Sequence, residues 1–290
     1  DKYKPNLIFS TDIYNTHDRE LIKEAKKRGI FTIGMVRSWD NVTTKGIMLS
    51  IPDKIIVPNK ILKDELWEHN KIKGDNVFIS GVPHYDSCIE PRKISREQFF
   101  RKMKLDSDKK LILFSPAGAM LYKYDGEILK IFQEFKNKNV FSKKVQFLVR
   151  FPPSDTINLN DFKTDEDFVF DEPGTNISGV KKESELTKED AQRLNDSLYY
   201  SDIVITLGST IAIDAAVFNK PSIFIGFDVE PKPYHQGLRR FHDMEYLQEI
   251  RKTGGVKLAE SLDELVKYAN QYLINPRLDE EGRKKILQEY

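Results

Sequence analysis

Between Ser201 and Asp228 the chain sets small and hydroxylated residues, a carboxylate and two apolar runs in an order that suits a phosphate ligand. Ile203-Val204-Ile205 is a β-branched run of the kind found in strands buried on both faces. It gives way to Gly208-Ser209-Thr210, and Ile211 to Val217 then reads as a helix. Capped by Ser209 or Thr210, that helix would turn unpaired N–H groups and the positive end of its dipole toward the turn. Phosphates are stabilised at such places. Asp214, one turn further on, could accept hydrogen bonds from ribose hydroxyls. Asn219-Lys220-Pro221 ends the helix, and Ser222 to Phe227 forms a strand that closes at Asp228. An ordinary strand–turn–helix–strand unit with a good cap would carry the same pattern. Three more turns end apolar runs: Ser115-Pro116-Ala117-Gly118, Arg150-Phe151-Pro152-Pro153 and Asp171-Glu172. Gly118 lets backbone approach a diphosphate closely, and Arg150 offers a planar fork for a phosphate. No Walker P-loop and no GxGxxG is present, so ATPase and nicotinamide readings lack their usual support.

The elements that must position these residues alternate along the chain. Leu7–Phe9, Phe31–Val36, Lys54–Val57 and Val77–Ser80 read as strands, with helices capped at Asn15 or Thr16 and running from Ile61 to His69 between them. Residues 84–108 break the rhythm, and the helix SREQFFRKMK from Ser95 to Lys104 mixes Phe99, Phe100 and Met103 with four basic residues. Such a helix packs its aromatics on a domain or lies on an anionic membrane surface. Alternation restarts at Leu111, with strands at Val145–Val149, Phe168–Phe170 and Gly254–Leu258 besides the two named above. Thr175 to Glu185 reads as a mobile loop, and Glu280 to Tyr290 as a terminal helix. These spacings predict an α/β chain of two Rossmann-like domains: residues 1–90, a linker at 91–108, a second domain at 109–275 and the helix at 276–290.

Composition narrows the classes. The 290 residues are enough for two ordinary domains. Forty-six basic against forty-five acidic residues leave +1, which argues against a nucleic-acid partner held by phosphate contacts. A single cysteine, Cys88, forms no internal disulfide and suits a reducing, cytoplasmic compartment. No apolar run approaches the ~20 residues of a membrane span, and no signal peptide is evident. The chain starts at Asp1, a strand follows almost at once, and four strands are few for a doubly wound domain. The first domain is therefore expected to be incomplete. Asn41-Val42-Thr43, Asn176-Ile177-Ser178 and Asn195-Asp196-Ser197 match the glycosylation pattern by chance in a chain of this kind.

Four pieces together resemble the GT-B glycosyltransferases, and more narrowly the bacterial surface-polysaccharide transferases related to CDP-glycerol glycerophosphotransferases. They are Ser38-Trp39-Asp40-Asn41 with Thr43-Thr44-Lys45-Gly46; Gly81-Val82-Pro83-His84-Tyr85-Asp86; Gly208-Ser209-Thr210 with Asp214 and Lys220-Pro221; and Gly254-Gly255-Val256 with Pro276 and Gly282-Arg283. Phe151 stands where the family often has a histidine after the arginine of the second strand of that domain.

The resemblance implies that the second domain holds a nucleotide sugar and the first an acceptor. Ser209 and Thr210 would then bind the diphosphate, Asp214 the ribose, and the backbone near Asp171 would edge the base. The loop Ser38 to Gly46, with Trp39, Asn41 and Lys45, would lie on the acceptor side. A transfer base must be a carboxylate or imidazole within reach of a hydroxyl, and Asp40, Asp12 and His17 are the candidates in that order. Asp40 could equally be a turn-capping carboxylate. Neither a metal nor another cofactor is implied, because helix dipoles and basic groups stabilise the leaving diphosphate in this fold. The donor, a glycan or lipid-linked acceptor and peripheral contact with the inner face of the membrane are the expected partners. Transfer of a polyol phosphate from a CDP-linked donor, a sugar-nucleotide epimerase and a non-catalytic carbohydrate-binding module stand as alternatives.

Overall fold

A computed structural model describes residues 3–153, 155–159, 162–176 and 184–290. Its chain separates into two compact units, Asp1–Ser87 with Gln288–Tyr290, and Cys88–Leu287.

The first unit is a parallel sheet of four strands in the order of the chain: β1 (Leu7–Ser10), β2 (Phe31–Met35), β3 (Lys54–Val57) and β4 (Val77–Ile79). α1 (Thr16–Lys27) joins β1 to β2, a single turn α2 (Asn41–Thr44) follows β2, and α3 (Lys60–Asn70) joins β3 to β4. Asn15 caps α1, its side chain accepting the His17 amide at 2.9 Å. Right-handed crossovers that all step the same way put their helices on one face. On that face Ile22, Ile55, Val57, Leu62, Leu66 and Val77 form the core. Leu7, Phe9, Phe31 and Phe78 alternate to the other face and are about half exposed.

The second unit begins with the segment expected to be a linker. α4 (Arg96–Met103) opens on a capping box between Ser95 and Gln98. Its Phe99 and Phe100 are buried against Leu111, Leu113, Leu148 and Leu198. The aromatics that could have met a membrane are thus spent on the core. Strands β5 (Lys110–Ser115), β6 (Val145–Arg150), β7 (Phe168–Asp171), β10 (Ile203–Thr206), β11 (Ser222–Ile225) and β12 (Val256–Ala259) form one parallel sheet ordered β12-β11-β10-β5-β6-β7, where β8 (Thr175–Asn176) and β9 (Ser184–Glu185) make a separate antiparallel ribbon. That ribbon differs from the single loop expected over 175–185, whose middle, with Ile177 and Ser178 of one glycosylation match, lies outside the described residues. α5 (Asp125–Asn137), α6 (Lys188–Tyr200), α7 (Ile211–Val217), α8 (Arg239–His242), α9 (Glu245–Lys252), α10 (Leu262–Ile274) and α11 (Glu280–Glu289) follow, α11 belonging to the second unit as far as Leu287. β6, β10 and β11 are buried at every position, as apolar strands covered on both faces must be. Phe147 stacks between Phe132 at 5.0 Å and Phe168 at 4.8 Å. Gln146 is buried at no cost in hydrogen bonds, because its amide exchanges bonds with the Asp106 backbone at 2.6 and 2.8 Å.

The start of α11 is pinned from two directions. The fully buried Arg283 donates to Asn219 Oδ1 at 2.7 Å, Leu278 O at 2.6 Å and Pro276 O at 2.9 Å. A Cβ on Gly282 would stand 2.2 Å from the Gly254 carbonyl carbon, so the two backbones touch only because glycine faces glycine. Among the described residues no helix is long and apolar enough to cross a membrane.

Candidate functional site

In chain order the large sheet reads 3-2-1-4-5-6, and the direction of winding reverses between β5 and β10. In such sheets the crevice outside the carboxyl ends of those two strands receives ligands. Two turns expected to bind a donor, Ser115–Gly118 and Gly208–Thr210, follow these strands. Tertiary structure brings them together across residues far apart in sequence.

They differ in what they offer. Gly118 has φ +88°, and a Cβ there would meet Asp155 Oδ2 at 2.5 Å. Its amide and that of Ala117 donate to the buried Asp125 carboxylate at 2.8 and 3.0 Å, while Met120 donates to Asp155 and Ala119 to the Thr156 carbonyl. The turn is therefore rigid and its amides are committed inside the protein, contrary to the expectation that they approach a diphosphate. Burial pushes the Asp125 carboxyl up to about 7, although the two amides pull the other way.

The second turn is more open. Gly208 has φ +104°, and a Cβ there would press on Leu247 Cδ1 at 2.9 Å and His242 Cε1 at 3.3 Å. Ser209 is half-buried and Thr210 exposed. Neither hydroxyl caps α7 well: Thr210 occupies the cap position in helical geometry without a side-chain bond, and Ser209 Oγ lies 3.5 Å from the Ile211 amide. Both hydroxyls therefore differ from the capping role expected of them. Asp214 lies half-buried in the first turn of α7.

Arg150 is turned inward. Its guanidinium pairs with Asp171 and donates to the Asp190 carbonyl at 3.1 Å. Asp171 also meets Arg193 Nε at 2.7 Å, and Arg193 reaches Asp190 at 2.6 Å. Burial draws the Arg150 pKa down, and Asp171 opposes that. A fork closed on a buried carboxylate ties the end of β6 to β7 and corrects the reading of Arg150 as a phosphate ligand. Phe151 donates its amide to the Asp171 carbonyl at 2.9 Å and packs edge-on against Phe170.

Sequence reasoning missed the loop after β11. Tyr122 donates to Asp228 at 2.9 Å and Tyr124 to Gln236 at 2.9 Å; Lys232 pairs with Glu127 at 2.9 Å. β11 and β5 flank β10, so this loop, seated on the loop after β5, runs past the end of β10 where Gly208 lies. His242, also unassigned from sequence, is buried with Nε2 2.8 Å from the Ile225 carbonyl, and burial pushes its pKa down to about 4. It is a neutral imidazole that donates from Nε2. Pro231 and Pro233 marked this segment as a connector, and only the carboxylate closing β11 hinted at more.

In the first unit, Asp12 and the Ser38–Gly46 loop follow adjacent strands at the same end of the sheet. Asp40 accepts from the Ser38 hydroxyl at 2.5 Å and the Thr44 hydroxyl at 3.2 Å, and its carbonyl accepts from Thr43 and Thr44. It is half-buried, with no ion pair among the described residues. Asn41 is buried and accepts the Ser38 amide at 3.2 Å; Trp39 stands edge-on to Tyr290, 5.4 Å between centroids. Lys45 is exposed. Asp12 accepts the Tyr14 amide and faces Arg37 at 3.8 Å, whereas His17 is exposed on the first turn of α1. Of the three candidate bases, Asp40 alone combines partial burial with uncharged partners only, two hydroxyls and the Asn41 side-chain amide at 3.5 Å.

Residues 37–290 match the family described as CDP-Glycerol:Poly(glycerophosphate) glycerophosphotransferase, and the chain belongs to that family. Over 186 residues it is 25% identical to the teichoic acid poly(ribitol-phosphate) polymerase of Bacillus spizizenii, covering 61% of this chain and 26% of that one. The chain spans 26–44% of the length of the curated relatives it matches. Among solved structures, the UDP-GlcNAc 2-epimerase of Neisseria meningitidis bound to UDP-GlcNAc superposes with a TM-score of 0.64 at 15% identity, covering 99% of this chain and 76% of that one. The wall teichoic acid polymerase TagF, as its H444N variant, gives 0.52 at 15% identity, with 99% and 84% covered. These likenesses establish the two-sheet GT-B type of fold.

Proposed function

We propose that this member of the CDP-glycerol glycerophosphotransferase family is a transferase that moves a polyol phosphate from a CDP-linked donor to a hydroxyl of a teichoic-acid-type acceptor. The observation that carries the reading is the family match over residues 37–290, which takes in both the Ser38–Gly46 loop and the whole second sheet. Of the donor classes expected from the sequence, a CDP-linked polyol accords with it better than a nucleotide sugar. The second unit would hold the nucleotide, with its phosphates at Gly208, Ser209 and Thr210 and its ribose at Asp214. An acceptor oxygen attacks the phosphorus that bears the polyol. An O–P bond forms, the P–O bond to the second phosphate breaks, and CMP leaves with the electron pair. The acceptor proton passes to a base, for which Asp40 is the leading candidate. Charge grows on the departing phosphate, so preorganised N–H and O–H donors at the Gly208 turn would lower the barrier. A cytoplasmic setting, with peripheral membrane contact through a lipid-linked acceptor, goes with this reading.

The test is a donor panel of CDP-glycerol, CDP-ribitol, UDP-GlcNAc and UDP-glucose with a lipid-linked glycerol phosphate acceptor. Acceptor-dependent release of CMP with a new phosphodiester is expected. Release of UDP with glycosylation of the acceptor would reject the polyol-phosphate reading in favour of sugar transfer.

A further inference from the structure

The loop at residues 226–238 and the single turn α8 that follows it have their ends held together, because the His242 imidazole at the end of α8 donates to the Ile225 carbonyl at the start of the loop. Compact surface loops with joined ends are often functional. Within this one, the Asp228 carboxylate accepts the Leu238 amide at 3.2 Å and the Tyr122 hydroxyl at 2.9 Å. Gly237 is required by that arrangement, since a Cβ would meet Asp228 Oδ2 at 2.5 Å. Tyr122 is itself buried in the loop after β5. Asp228 thus closes the loop on itself and fastens it to a neighbour. Three further ties, Tyr124 with Gln236, Lys232 with Glu127 and Arg240 with the Leu121 carbonyl, lie closer to the surface. The loop runs directly into His242 and Leu247, the side chains that abut Gly208.

We infer that Asp228 is a positioning residue for donor binding: it keeps this strap closed on the loop after β5, and the closed strap sets the Gly208–Thr210 turn. The inference rests on the reading of that turn as the nucleotide site. Asp228 touches no ligand in this scheme; it acts through Leu238, Tyr122 and the packing of His242 and Leu247 behind Gly208. Asp228→Asn exchanges charge-assisted bonds for weaker neutral ones and sets an NH2 group in place of Oδ2, which the Leu238 amide now faces at 3.3 Å, so the strap spends part of its time open. A protein whose binding-competent form is only fractionally populated binds its ligand more weakly by that fraction.

The experiment pairs amide hydrogen exchange over residues 229–240 with calorimetric titration of CDP, on the parent, Asp228→Asn and Tyr122→Phe. The parent strap should be protected with and without CDP. In Asp228→Asn the strap should exchange freely without nucleotide and regain protection at saturating CDP, and CDP should bind about tenfold more weakly, in step with the open fraction. Tyr122→Phe, which removes one hydroxyl and keeps the ring, should show the same two effects to a smaller degree. An open strap with unchanged CDP affinity, or a strap that stays closed without the Asp228 carboxylate, overturns the inference. A parent that binds no cytidine nucleotide would instead remove the reading of the site, and the inference with it.

Discussion

Asp125 gives the second unit a pH dependence that can be calculated from its surroundings. Its carboxylate is 1% exposed and accepts two backbone amides, yet burial raises its pKa from 3.8 to about 7. The folded protein therefore holds a proton at Asp125 up to about pH 7, while the unfolded chain releases it near 3.8. Between these values the folded state binds more protons, so stability falls as pH rises, by about 1.4 kcal/mol per unit. The whole loss is about 4 kcal/mol and is complete above pH 7. Below 3.8 both states are protonated and Asp125 contributes no slope. Asp125→Asn cannot ionise, so from pH 5 to 8 the parent should lose about 3 kcal/mol more than the variant. Amide exchange in β5 and β10 reports the second unit, after correction for the intrinsic pH dependence of exchange. Trp39 and Trp67 both lie in the first unit, so their fluorescence is an internal control that should not differ between the two proteins. Equal slopes for parent and variant over pH 5–8 would refute the assignment of a buried, protonated Asp125.

Four other outcomes are expected. Asp214→Ala should weaken CDP binding by ~1–3 kcal/mol, the worth of a hydrogen bond to a charged group; unchanged titration curves for all nucleotides would remove the ribose assignment. Asp40→Asn should lower turnover by ~10²–10⁴ while CDP still binds, and full turnover would move the base to Asp12 or His17. Arg283→Ala leaves three acceptors without their buried donor and should cost roughly 3–5 kcal/mol, seen as loss of amide protection in α11 and β12. Gly208→Ala combines a strained φ of +104° with a contact at 2.9 Å and should destabilise by ~1–3 kcal/mol; CDP binding should fall with it, and a variant of parental stability and affinity would contradict the geometry described for this turn.

The alternation of strands and helices, the two sheets and the turn from Gly208 to Asp214 were legible in the sequence because each is written locally. Apolar runs such as Ile203–Ile205 have the period and length of buried strands, and glycine, proline and hydroxyl residues mark where they stop. The Asn15 cap is equally local, with acceptor and amide two residues apart. The destinations of the polar side chains were not legible. Arg150 has the chemistry of a phosphate ligand, but β6 and β7 are neighbours, and that places Asp171 within its reach first. The Gly118 turn looks free in sequence, yet the start of α5 folds Asp125 beneath it and takes its amides. The strap on Tyr122 joins residues 106 positions apart, and it exists because β5 and β11 lie on either side of β10. Periodicity states which face of an element is buried. Which buried donor meets which acceptor depends on strand order and on the reach of side chains across it, and the tertiary structure alone settles that.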